Sequence, residues 1–498
     1  MAHAEEQERT LIPRARASKR LAISSRQIGL ATAYAVVGTG LLWSRFAEIK
    51  TSLWHDEIYT VQHFIDPGPS AIFGAYNPND HVLFSLLGWL TVHSTGLGDS
   101  AYRLWSIVPF IVGVVLVTFW LHKRGGAFSA VAFAFLCTTS TLLVTLSIEA
   151  RGYGLAFLEM AVMTIAAYEA LTRPSNRSLT VLAAAGVLGC WTLPTFILPL
   201  FGVSSVLLRR RALRRPLAAR LVVALLAIGC WYAVPARDLL SSSGQQFGVP
   251  LPWHAPFTGA ADTLAAAFLL SINAAALLPA LLVMPVLIAG ILKLRRELPV
   301  LALITVVPVV FTFTALTISR LYVEERFISF LLVPILIVAA FGLQALVTPR
   351  PALGWVLSAM YVGALVATLL LVFTVLSPQF TRMPREANRD AARAVSSWFA
   401  KAPRPVIMNT PHPADVRYYL RHILPRTVRA RDLEQVLCSQ SVTTTGVIFV
   451  QQPHGVDPVN TSCLTRRGAK VQVFRQWDRG LHISVWELPP RTGDSGRT

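Results

Sequence analysis

The stretch IGLATAYAVVGTGLLWSRFAEIKTSLWHDEIYT, residues 28–60, joins a long apolar run to two adjacent carboxylates. The run, Ile28 to Phe46, has about the length a helix needs to cross a bilayer core, roughly 20 residues. The acids, Asp56 and Glu57, sit among Trp54, Ile58 and Tyr59. Adjacent acids usually mark a solvated loop. Aromatic and apolar neighbours disfavour full solvation here and point instead to a functional pair beside a membrane.

Composition puts the rest of the chain in the same setting. Of 498 residues, 54% are hydrophobic and 14% charged, against about a quarter charged in soluble domains. Mean hydropathy is +0.53. Repeated apolar stretches of spanning length predict a polytopic α-helical membrane protein. A net charge of +19 would suit nucleic acid, but the basic residues fall in short clusters between apolar runs. Cytoplasmic loops beside anionic lipid are built that way, so membrane lipid is the expected partner and nucleic acid is not.

Loop charge sets the predicted topology. The basic segment 1–26 lacks the apolar core and cleavage site of a signal peptide and is placed in the cytoplasm. Spans follow at about 27–46, 102–122, 126–147 and 152–171. Residues 178–207, with Pro194 between Thr192 and Thr195, read as two short spans. Further spans fall near 219–237, 272–292, 298–317, 327–346 and 352–376. The basic loops RRRALRRP and KLRRE then both lie inside, as the positive-inside rule requires. The stretch NPNDHVLFSLLGWL is too short and amphipathic for a span and is read as lying along the outer interface. About eleven spans give a membrane domain over 27–376, with everything from Ser377 outside a bacterial plasma membrane.

The region 377–498 is a different material. MPREANRDAARAVSSWFA has the spacing of an amphipathic helix, and PVIMN, GVIFVQ, KVQVFRQW and LHISVWEL read as strands. A small extracytoplasmic α/β domain is expected. It holds Cys438 and Cys463, which on an oxidising face are either a disulfide or two unpaired thiols. No repeat, Walker loop or clustered Cys/His metal pattern is present, so neither metal nor cofactor is expected.

Outer span ends gather the polar residues. Asp56 and Glu57 follow the first span, His81 lies in the polar turn before the interfacial helix, and Arg103 begins the second span. Glu149 and Arg151 top the third, and Arg326 starts the tenth beside Glu324 and Glu325. All fall on one side of a topology drawn from the basic loops alone. Asp56 and Glu57 are the catalytic candidates, and His81, Arg103, Glu149, Arg151 and Arg326 the substrate-binding ones; several have a plainer reading. Arg151 and Arg326 could snorkel or pair with Glu149 and Glu325. His81 and Arg103 could be satisfied helix-end residues, and Trp54 and Tyr153 interface-belt aromatics.

WHDEIYT after the first span, YRLWSIVPFIVGVV, SIEARGYGLA after the third and ERFISFLLVP late in the bundle resemble membrane glycosyltransferases of the GT-C superfold. The protein O-mannosyltransferase and lipid A aminoarabinose transferase group is the most similar, and the outer tail is similar to those of some actinobacterial members. Where many relatives carry a His-Pro-Pro-Leu-like turn, this chain has NDHVLF. The resemblance implies a polyprenyl-phosphate-linked sugar as donor and a glycan, glycolipid or protein acceptor on the outer face. It implies mannose first and arabinofuranose second, transferred by inverting displacement. Asp56 matches the family's first-loop acid and is the expected base, with Glu57 beside it to orient the acceptor. Arg151 and Arg326 are expected to hold the leaving phosphate, and Glu149 to orient Arg151 or touch sugar. A transporter, a flippase and a non-catalytic scaffold of envelope assembly are the competing classes. A transporter would place its ionisable residues near the midplane.

Overall fold

The computed structural model describes residues 25–46, 49, 53–74, 77, 80–95, 99–233, 277–319 and 325–347 of the helical region. Beyond it the structure describes residues 388–401, 406–409, 418–420, 426–427, 437, 447–451, 462–466, 468–475 and 482–488. The predicted span at 352–376, the segment 1–24, Glu324 and the Cys438–Cys463 pairing lie outside these residues. Four described helices are long and apolar enough to cross a membrane: Ser100–Arg124, Tyr153–Thr172, Pro299–Ser319 and Arg326–Val347. The pair Ala127–Thr139 and Leu142–Ile148 adds a fifth if it counts as one span. Helices Ser25–Phe46, Asn176–Thr192, Ile197–Leu208, Arg211–Tyr232 and Leu277–Glu297 complete the described bundle. Its core is built from small and apolar residues such as Ala156, Met160, Ala167, Leu336 and Ala340.

Two breaks shape the bundle, and each has a local cause. Pro194 disfavours helix in the residue before it, so Asn176–Thr192 stops at an extended Leu193 and a short 3-10 turn leads into Ile197–Leu208. The other break was not legible. Ala127–Thr139 bends by 68° into the next helix at Ser140, whose Oγ caps Leu143 N–H at 3.3 Å. Carbonyls left open by the bend are taken by Arg45 from the end of the first helix. Its guanidinium donates to Cys137 O at 2.8 Å and to Thr138 O at 3.0 Å. The bend aims the chain at Glu149. A second difference lies in RRRALRRP, predicted as a loop and helical from Arg211 on. It forms the first turns of Arg211–Tyr232 because Leu213 and Leu217, four apart, are buried while the arginines stay out.

Beyond the bundle the chain forms a mixed five-stranded sheet in the order β2-β1-β3-β5-β4. Its strands are β1 Val406–Asn409, β2 Arg426–Thr427, β3 Val447–Gln451, β4 Lys470–Arg475 and β5 His482–Leu488. Strand β1 lies parallel between β2 and β3, while β5 runs antiparallel to both β3 and β4. Val406, Met408, Ile448, Val450, Ile483 and Val485 face helix Asn388–Lys401, whose Ala391, Ala392, Val395 and Trp398 cover them. Ile407, Val447, Phe449 and Leu488 form a second core on the opposite face. Coverage of both faces explains why β1 and β3 read as continuous apolar runs rather than alternating ones. The two-residue β2 carried no sequence signal.

Candidate active site

The short helix His55–Thr60 carries both acids. Successive helical residues point about 100° apart, so neighbouring carboxylates need not share surroundings. Here they do not. Asp56 Oδ2 accepts from Arg151 Nη1 at 2.6 Å and from Arg326 Nη1 at 2.6 Å. Its other oxygen has no partner among the described residues. Glu57 turns inward and is fully buried. Its Oε1 accepts from Ala150 N–H at 2.5 Å, and its Oε2 from Arg103 Nη2 at 2.9 Å and Trp54 N–H at 2.9 Å. Arg103 adds an Nε contact to Oε1 at 3.3 Å and donates to Ile49 O at 3.2 Å.

This separates the candidates into two shells. Glu57, expected to orient the acceptor, and Arg103, a substrate-binding candidate whose plainer reading is a satisfied helix-end residue, meet each other, with side chains 1% and 0% exposed. Glu57 ties the start of its own helix to the turn after Ile148, reaching back to the N-cap amide as N3 glutamates do. Asp56, Arg151 and Arg326 lie nearer solvent as a group: Asp56 is 13% and Arg326 25% exposed, while Arg151 is enclosed. Arg151 does not pair with Glu149, and Arg326 is held by Asp56 from 270 positions away.

His81 joins the same cluster. Its Nδ1 accepts from Gly152 N–H at 3.1 Å, and its Nε2 lies 2.9 Å from Arg151 Nη2. Burial pushes its pKa well below the usual histidine value, and Arg151 and Arg326 push it the same way, so the ring is neutral. A neutral ring has one free lone pair, for which the Gly152 amide at Nδ1 and the Arg151 guanidinium at Nε2, with its Nε also 3.3 Å away, compete. Tyr153, expected in an interface belt, is buried instead. It packs edge-on against His81 at 5.0 Å, with the Arg151 guanidinium 5.4 Å from its ring centroid.

Two glycines let the Glu149–Gly154 turn come this close. A Cβ on Gly152 would lie 2.6 Å from Thr192 Cγ2 and 2.9 Å from His81 Nδ1, and one on Gly154 would overlap the Ser106 carbonyl oxygen. The motif EARGYG therefore needs both positions bare.

Glu149 is 3% exposed, and its Oε2 has no hydrogen-bond partner among the described residues. Burial raises its pKa from 4.5 to about 8; Arg151 opposes this, Glu57 and Asp56 add to it, and Arg326 also opposes it. Asp80, missed in the sequence, is buried beside His81 and accepts from Ser85 Oγ at 2.9 Å. Burial raises its pKa to about 8 against that hydrogen bond. Both groups keep a proton in the fold that the unfolded chain releases at lower pH. Their contribution to stability is therefore fully present below the unfolded carboxyl pKa and is lost as pH rises toward 8. Melting temperature in detergent is expected to fall between about pH 5 and pH 8, less steeply in Glu149→Gln and in Asp80→Asn. Unchanged slopes in both variants would contradict the assignment.

Among the described residues, no group of three or more His, Cys, Asp or Glu could hold a metal ion. No family model and no curated protein matches the sequence. Two solved structures of ArnT share its fold. ArnT from Cupriavidus metallidurans in the apo state superposes with a TM-score of 0.53 at 14% identity, over 93% of this chain and 98% of that one. ArnT bound to undecaprenyl phosphate gives 0.52 at 14% identity, over 92% and 98%. The Archaeoglobus fulgidus oligosaccharyltransferase gives 0.49 at 12% identity, over 79% and 62%. The likeness to ArnT and the membrane-length helices agree with the helical membrane architecture expected from the sequence.

Proposed function

We propose that this protein is a membrane glycosyltransferase that moves a sugar from a polyprenyl-phosphate donor to an extracytoplasmic acceptor. The observation that carries the reading is the convergence of Arg151 and Arg326 on one oxygen of Asp56 at 2.6 Å. Two guanidiniums gathered at a carboxylate with one open oxygen supply both halves of a displacement at an anomeric carbon. Asp56 Oδ1 takes the proton of the acceptor hydroxyl as its oxygen bonds to that carbon. The bond from carbon to the lipid phosphate breaks, and its electron pair stays on the phosphate. One displacement inverts the anomeric centre. Mannose or arabinofuranose is the proposed sugar, and a glycan, glycolipid or protein the acceptor.

In this reading the labour divides further. Arg151 is enclosed and holds Asp56 and His81, whereas Arg326 reaches solvent and is assigned the first contact with phosphate. Glu57 and Arg103 we assign to positioning rather than to substrate. The arginines supply the fixed positive charge, so no metal or cofactor enters the proposal.

Arg326→Gln decides the central claim. Donor affinity and turnover are both expected to fall, with partial recovery in Arg326→Lys. A charge-assisted contact is worth about 1.5–3 kcal/mol, roughly ten- to a hundredfold in affinity. Binding of a polyprenyl-phosphate sugar to purified protein in detergent measures it, and unchanged affinity and turnover would return Arg326 to a structural role. The proposed orientation has segment 1–26 in the cytoplasm and the sheet region outside. Single cysteines at Arg214 and Asn79 test this with an impermeant thiol reagent: position 79 should label from outside, and labelling of 214 instead would invert the topology.

A further inference from the structure

We infer that the sheet region holds the acid-bearing helix in position through Tyr418 and Tyr419. The observations are geometric and independent of the proposed activity; only their catalytic consequence rests on that reading. Tyr419 OH accepts a hydrogen bond from Leu53 N–H at 2.7 Å across 366 residues of sequence. Leu53 is fully buried, so water is a poor substitute for that acceptor. The next amide, Trp54 N–H, is taken by Glu57. Both backbone donors just ahead of helix His55–Thr60 are thus held, one from within the helix and one from the far end of the chain.

The residues around this bond form a bridge. Tyr418, 7% exposed, packs with Leu53, Ile58, Val61, Tyr102 and Ala150 beneath the site. Leu420 packs in the sheet core with Val395, Val406 and Ile448. Tyr419 lies against both clusters, edge-on to Tyr418 at 4.9 Å and with the Arg389 guanidinium 5.3 Å from its ring centroid. Three consecutive residues therefore anchor one end in the bundle and the other in the sheet. Asp56 stands on the first turn beyond this anchor, so the bridge fixes where its carboxylate meets Arg326. Tyr419 is a positioning residue, acting through the backbone at Leu53.

Tyr419→Phe in the full-length protein removes the hydroxyl and keeps the ring. Amide exchange over residues 53–60 is expected to rise by about tenfold, on the order of one net hydrogen bond, with β3 and β5 unchanged. Turnover should fall while the KM for the polyprenyl-phosphate sugar stays constant. Unchanged exchange at 53–60 overturns the inference, and faster exchange with full turnover overturns its catalytic consequence. Should β3 and β5 also exchange faster, Arg389→Gln decides, because it leaves ring and hydroxyl in place. A smaller rise confined to 53–60 upholds the bridge, and no rise rejects it. Absence of transfer by the wild-type protein would count against the proposed function, while the exchange result would still decide the bridge.

Discussion

Asp56→Asn is expected to lower turnover by roughly 10²–10⁴-fold, the usual contribution of a general base. The amide keeps the size of the carboxylate and an oxygen for Arg151 and Arg326, but it cannot take up the acceptor's proton at neutral pH. It also removes the negative charge that balances the two guanidiniums. Donor phosphate should therefore bind at least as tightly as in the wild type, which separates lost chemistry from lost binding. Single-turnover rates and donor affinity, measured together in detergent, test this. Near-wild-type turnover would remove Asp56 from the reaction. A parallel loss of donor affinity would make it a scaffold for the arginines instead.

Arg103→Met is expected to cost about 3–5 kcal/mol of stability, because removing one partner of a buried ion pair leaves the other charge uncompensated. Glu57 is fully buried, and its oxygens also hold Ala150 N–H and Trp54 N–H. Combining Arg103→Met with Glu57→Gln removes both charges and should recover part of the loss. Thermal or denaturant unfolding of the two variants reads the difference. A loss below about 1 kcal/mol in the single variant would match a solvated pair and contradict the burial seen here.

The candidate site was legible as a set of residues and illegible as a set of partners. Asp56, Glu57, His81, Arg103, Glu149, Arg151 and Arg326 stand out in the sequence because all fall at outer span ends or in outer loops of a topology drawn from the basic loops alone. The structure brings them into one cluster. Pairing could not be read, because the plainest rule, that neighbours in sequence pair, fails here: Arg151 sits two residues from Glu149 yet bonds Asp56 and His81. Arg45 carries no signal in the sequence, and Tyr153 reads as an interface-belt aromatic, for a related reason. An arginine or tyrosine at a span end has the same signature whether it snorkels to the interface or turns into the bundle.

Sequence by itself determined that the chain is built from membrane-length apolar helices followed by a strand-rich region. Both follow from periodicity and run length, which are local properties. It also determined the break at Pro194, where the proline ring restricts the residue before it. Tertiary structure alone decided that Asp56 faces two arginines while Glu57 is locked to Arg103. It also decided that the chain bends at Ser140 under Arg45, and that Tyr419 caps Leu53. Each of these depends on groups far apart in the chain meeting where water is scarce, and only the packed fold fixes which donor lies within reach of which acceptor.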